Sequence, residues 1–143
     1  MEWTRTLRTN APAATIVVRF LVGFLFFLEG IKKFLFVAQM GRRTLRADWD
    51  PASANHGPFV GAIEIVFGFL LLVGLVTRLA SLLLLIDISV AIASTKIPLL
   101  LRSGFWPMEA EARTDYAMLL GLIFLLIVGA GTRSLDHRIT RKT

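Results

Sequence analysis

Cysteine is absent from the 143-residue chain. That removes disulfides, Cys-ligated iron–sulfur clusters, Cys-based zinc sites and thiol nucleophiles. Histidine is scarce. His56 stands in a polar stretch and His137 in the basic C-terminal tail, so a bis-histidine haem between apolar helices has no ligands. Charge is sparse as well, at 18% of residues against 55% hydrophobic ones, which is less than a soluble domain of this size carries. No metal site and no covalently bound cofactor is expected. Electron chemistry in this chain would need a non-covalent organic carrier, such as a quinone, or a partner's cofactor.

What is present is apolar length. Mean hydropathy is +0.68, and the apolar residues gather into runs of about 20, enough to cross a bilayer core. Four spans are predicted, at residues 13–36, 58–76, 79–101 and 113–130. Polar loops are predicted at 38–57 and 102–112, with a basic tail at 131–143. The expected fold is all-α: a single-domain integral membrane four-helix bundle, antiparallel, with both termini on one side. The first apolar run is longer than a signal-peptide core and carries Arg19 and Glu29, so it is expected to be retained. Thr77 and Arg78 leave only a short link between the second and third spans, which makes them a hairpin. Lys and Arg counts lean towards cytoplasmic termini in a bacterial inner membrane.

The net charge is +6 and the pI 10.8. In a soluble protein this would point to nucleic acid. Here the basic residues flank apolar spans, and anionic lipid headgroups are the fitting partner.

The ionisable residues inside the spans are the informative ones, because such groups face the bundle interior, pair or snorkel. Arg19, Gly23, Phe26, Gly30 and Lys33 recur at spacings of 4, 3, 4 and 3, one face of a helix. Glu29 borders that face, four residues before Lys33, an order that favours an ion pair. Gly57, Gly61, Glu64 and Gly68 form a second small-residue face with one carboxylate. Glycine faces of this kind allow close helix approach. Alternating helix directions place Glu29, Lys32, Lys33, Glu64, Lys96 and Asp115 in the half facing the two long loops. Asp87 lies near mid-membrane, with Arg19 and Arg78 as candidate partners. Its nine-residue separation from Lys96 is half a turn out of phase, so those two should not share a face.

The order Arg19, Gly23, "FLEGIKKF" (Phe27–Phe34), "GAIEIVFGFLLLVGLVTRLA" (Gly61–Ala80) and "GAGTRSLD" (Gly129–Asp136) resembles the DoxX family of four-helix bacterial membrane proteins. The resemblance rests on Glu29, Gly30, Lys33 and Phe34, on Glu64 and Gly68, on Gly74, Leu75, Thr77 and Arg78, and on Gly131, Ser134, Leu135 and Asp136. It implies quinone-linked redox work alongside other subunits, since relatives include the small subunit of a thiosulfate:quinone oxidoreductase. The loop at 38–57 is long for the family and suits a docking surface.

Three readings stay open on residues alone. One is an accessory or quinone-interacting subunit of a membrane redox complex. Glu29 and Glu64 would be its candidate proton carriers, with Lys33, Lys96, Arg19 and Asp87 as candidate polar-cluster or quinone head-group contacts. The second is a purely structural or assembly subunit, with other membrane subunits or a homo-oligomer as partners; a buried Glu–Lys network can serve to set helix register. The third is a small transporter or lipid-handling protein, disfavoured by the low span count and the lack of an inverted repeat.

Overall fold

The computed structural model describes residues 13–35 and 51–141. Residues 38–50 of the first polar loop and the basic segment before residue 13 lie outside these. Every regular element among the described residues is a helix: α1 (Thr15–Leu35), α2 (Pro51–Val73), α3 (Thr77–Ser103), α4 (Phe105–Val128) and the short α5 (Leu135–Thr140).

Glycine decides how α1 meets α2. A Cβ on Gly30 would come within 2.6 Å of the Gly61 carbonyl oxygen, and one on Gly23 within 2.9 Å of the Gly68 carbonyl oxygen. Both glycines must therefore lack a side chain for the backbones to pack this closely. Gly23 meets Gly68 and Gly30 meets Gly61, so the two helices run antiparallel. The α1 face read from the sequence is the buried one: Arg19, Gly23, Phe26 and Gly30 all point inward.

The turn between α2 and α3 lies earlier than the predicted Thr77–Arg78 link. Gly74 adopts a left-handed φ of 71°. Its amide bonds the Leu71 carbonyl at 3.1 Å, and the Leu75 amide bonds that of Leu70 at 3.0 Å. This is a Schellman ending, which favours glycine at the left-handed position. Thr77 and Arg78 are consequently the first residues of α3.

The structure corrects both polar loops. Residues 51–57 belong to α2, opened by Pro51, whose fixed φ suits a first helical position. The stretch 102–112 is helical except for Gly104, which alone links α3 to α4 with φ 82°. The segment Met108–Arg113 is rich in strong helix formers, and the Arg113 guanidinium adds a 3.0 Å pair to Glu109 one turn back. Pro107 falls in the first turn of α4, where its missing N–H breaks no helical bond.

Inside, Val22 and Phe26 of α1, Leu71 of α2, Leu84 and Ile88 of α3, and Met118, Leu122 and Leu125 of α4 form one apolar core. Outside, Val17, Phe20, Val66, Phe69, Ile86, Val90, Leu120 and Ile127 are each more than half exposed. An apolar exterior this extensive suits lipid rather than water. Among the described residues α3 is the helix long and apolar enough to cross a membrane. α1 and α4 carry four charged residues each, as α3 does, but crowd them so that every 18-residue stretch holds at least three.

Candidate functional site

The charged residues sort into groups at different places, rather than one cluster.

The first group ties the C-terminal segment to the helix ends. Arg19 is 3% exposed. Its Nη1 donates to the Ala130 carbonyl at 2.5 Å and its Nη2 to the Arg133 carbonyl at 2.8 Å. Those carbonyls belong to the chain just past α4, where Gly129 and Gly131 take φ of 88° and 82°. Asp136 then caps α3: Oδ1 accepts from the Val76 amide at 2.6 Å and Oδ2 from the Thr77 amide at 2.9 Å. An α-helix leaves its first amides without partners, and a carboxylate meets them well. The Asp136 amide bonds the Gly74 carbonyl at 2.9 Å, and Ser134 Oγ caps α5 by accepting from His137. The Gly74–Arg78 and Gly131–Asp136 motifs thus meet in space. Arg19, expected as a head-group contact, is committed to this lock.

The second group joins three helices. Lys33 Nζ of α1 stands 2.7 Å from Glu64 Oε2 of α2. The Glu64 side chain is 6% exposed and that of Lys33 30%. Lys33 sits close to Oε2 but off the line of a well-formed hydrogen bond. Asp87 of α3 stands near enough to Glu64 and Lys33 to interact electrostatically with both. Two carboxyls thus face one ammonium. Asp87 also lines a groove of about 350 Å³ between α2 and α3, whose other walls are Ile63, Phe67, Leu83, Ile86 and Val90. An apolar slot with one polar group on its wall, backed by a buried charged pair, has the usual composition of a small-molecule site.

Glu29 does not pair with Lys33. It bonds Lys32 at 3.1 Å, on an exposed face, with side chains 43% and 56% exposed. The pair lies on the open side of α1, because Glu29 sits beside the glycine face and not on it.

Lys96 forms a third group. Its Nζ is 3.4 Å from Asp115 and 3.6 Å from Glu111, both on α4. Asp87 and Lys96 diverge to different neighbours, as their spacing along α3 requires. Arg78 reaches the Ile127 carbonyl at 3.3 Å and ties α3 to α4.

Of the six residues expected to handle protons or a head group, the structure brings together Lys33, Glu64 and Asp87. It leaves Glu29, Lys96 and Arg19 elsewhere. The Asp136 cap was legible only as part of a motif; an acidic residue 59 positions after an uncapped helix start gives no local signal.

Described residues that are helical in every regular element, with an apolar exterior and charges paired between helices, define a membrane protein. The DoxX family pattern matches residues 14–97. An uncharacterized membrane protein of Mycobacterium tuberculosis is 43% identical over 147 residues, covering 99% of this chain and 90% of that one. No solved structure matches. The chain belongs to the DoxX family.

Proposed function

We propose that this chain is an accessory, quinone-interacting subunit of a bacterial membrane redox complex. In this reading α1–α4 form an antiparallel four-helix bundle in the inner membrane, with both termini cytoplasmic. The observation that carries it is Asp87 on the wall of the apolar α2–α3 groove, with the Lys33–Glu64 ion pair behind it.

The donor set fits a quinone. Ile63, Phe67, Leu83, Ile86 and Val90 offer an apolar slot for a prenyl tail. Asp87 offers the hydrogen-bonding group for a head group at the groove wall. A quinone, when bound, accepts two electrons and two protons. The residues of this chain supply the proton side. Glu64 and Asp87 serve as neighbouring proton carriers on α2 and α3, and Lys33 balances the remaining negative charge. Lys33, part-exposed, lies where the triad meets the end of α1, the natural entry for a proton from the loop side. With no cysteine and no histidine among the expected ligands, the electrons are assigned to a partner subunit.

Photoaffinity labelling with an azido-quinone in native membranes tests this. Label is expected on residues 63–67 and 83–90, with loss of label in Val90→Trp, which fills the groove. Label confined to other faces, or undiminished in the folded Val90→Trp protein, would overturn the reading. Native mass spectrometry of the gently extracted protein tests the subunit half: other polypeptides should co-migrate. A complex that carries no quinone-sized mass would favour a purely structural subunit.

A further inference from the structure

The end of the molecule opposite the triad carries a second cavity, one that the proposed quinone chemistry does not use. It measures about 580 Å³ and is lined by Thr132, Arg133, Ser134, Leu135 and Arg138 from the C-terminal segment, with Ile16 of α1 and Val73 of α2. We propose that this groove binds the headgroup of an anionic phospholipid, with an acyl chain lying against α1.

Three observations carry the assignment. First, the lining is divided, with two guanidinium groups and two hydroxyl residues from one segment and apolar side chains from two helix ends. Among the described residues no acidic side chain lies within ion-pair distance of Arg133 or Arg138, both exposed. Asp136, between them in sequence, has turned inward and spends both oxygens on the α3 amides. The groove therefore keeps its positive charge, and guanidinium groups match phosphate geometry.

Second, the groove opens onto the lipid-facing belt. Ile16 is followed at one-turn intervals by Phe20 and Phe24, which stack at 5.7 Å between ring centroids and are 59% and 43% exposed. Phe69, one turn before Val73 on the antiparallel α2, is also exposed. Apolar surface thus runs continuously from the basic groove down the α1–α2 face. A free phosphate would use the arginines and leave this stripe without a role; a phospholipid uses both.

Third, the position of the groove is built rather than incidental. The Arg133 carbonyl is held by buried Arg19, and Ser134 Oγ donates to the Gly131 carbonyl at 2.7 Å. The backbone that presents the two arginines is therefore fixed to α1 and, through Asp136, to α3.

The test is native mass spectrometry of the full chain, with titrated phosphatidylglycerol or phosphatidylcholine. The wild-type protein should retain phosphatidylglycerol preferentially. Arg133→Gln with Arg138→Gln should reduce that retention about thirtyfold, the factor expected for two basic residues at an anionic surface. Arg102→Gln with Arg113→Gln, at the other end, should not. Arg138→Gln alone removes an exposed side chain that ties no other element among the described residues, and should give a partial loss with an unchanged Tm. Equal retention by the wild type and the Arg133/Arg138 variant would overturn the proposal, as would equal loss in the Arg102/Arg113 variant. Inorganic phosphate supplies the remaining arm: saturable phosphate binding that phosphatidylglycerol fails to displace would make this a phosphate site instead.

Discussion

Asp136 accepts a hydrogen bond from the Thr77 amide at 2.9 Å across 59 residues of chain. With the second bond, from Val76 at 2.6 Å, it supplies the cap that α3 lacks in its own sequence. Val76 at that cap is in the left-handed region, with φ 50° and no side-chain cap bond of its own. The tail after α4 is thereby a structural element and not a loose basic extension.

Asp136→Ala should destabilise the protein by about 1–3 kcal/mol, because it leaves two amides without their acceptor. Asp136→Asn should cost less, since one acceptor oxygen remains. Thermal unfolding in detergent, followed by circular dichroism, gives the order. Equal Tm values for wild type and Asp136→Ala would show that water replaces the cap without loss.

Gly30→Ala and Gly104→Ala should both destabilise the protein, the first by overpacking and the second by backbone strain. The new Cβ at Gly30 would press on the Gly61 carbonyl and on Ile65, whereas nothing lies within 4 Å of one at Gly104. Overpacking at a close helix contact costs roughly 1–3 kcal/mol, and an alanine at Gly104, where φ 82° and ψ −177° suit glycine, costs about 1–3 kcal/mol of backbone strain. The same unfolding series reads both, and an unchanged Tm in Gly30→Ala would contradict the α1–α2 contact.

The two ion pairs of α1 should behave differently. Glu29→Ala and Lys32→Ala each remove one partner of an exposed pair and should shift stability by less than about 1 kcal/mol. Lys33→Ala leaves the Glu64 carboxylate buried beside Asp87 and should cost more, roughly 1–3 kcal/mol. The Glu29–Lys33 pair that the sequence favours would have made the Glu29 change larger than the Lys32 one. The structure makes these two equal and moves the large effect to Lys33. Urea or thermal unfolding of the three single variants measures this.

Glu64→Gln should lower quinone-coupled turnover by about two orders of magnitude, the usual scale for a lost proton-transfer group, with folding retained. Glu29→Gln should leave turnover unchanged, because Glu29 faces outward with Lys32. Quinol formation by membranes that contain each variant in its native complex gives the readout. Full activity in folded Glu64→Gln would remove the triad from the proton path.

Local pattern was enough for several features. The periodic spacing of Arg19, Gly23, Phe26, Gly30 and Lys33 marked the buried face of α1, because an α-helix repeats every 3.6 residues whatever surrounds it. Gly61 and Gly68 marked the matching face of α2 on the same ground. The loop at 102–112 misled because its polar residues are also good helix formers, and a single left-handed glycine suffices to turn the chain.

Composition and periodicity determined that this is an all-helical membrane protein with glycine-lined faces and costly internal charges. Only the tertiary structure decided where those charges go. Lys33 can reach Glu29 within its own helix or Glu64 on the next. It takes Glu64 because the Gly30–Gly61 approach brings that buried carboxylate to 2.7 Å and leaves Glu29 in the open beside Lys32. Partner choice among charges is set by distance and desolvation, and both are properties of helices packed together, not of any one helix.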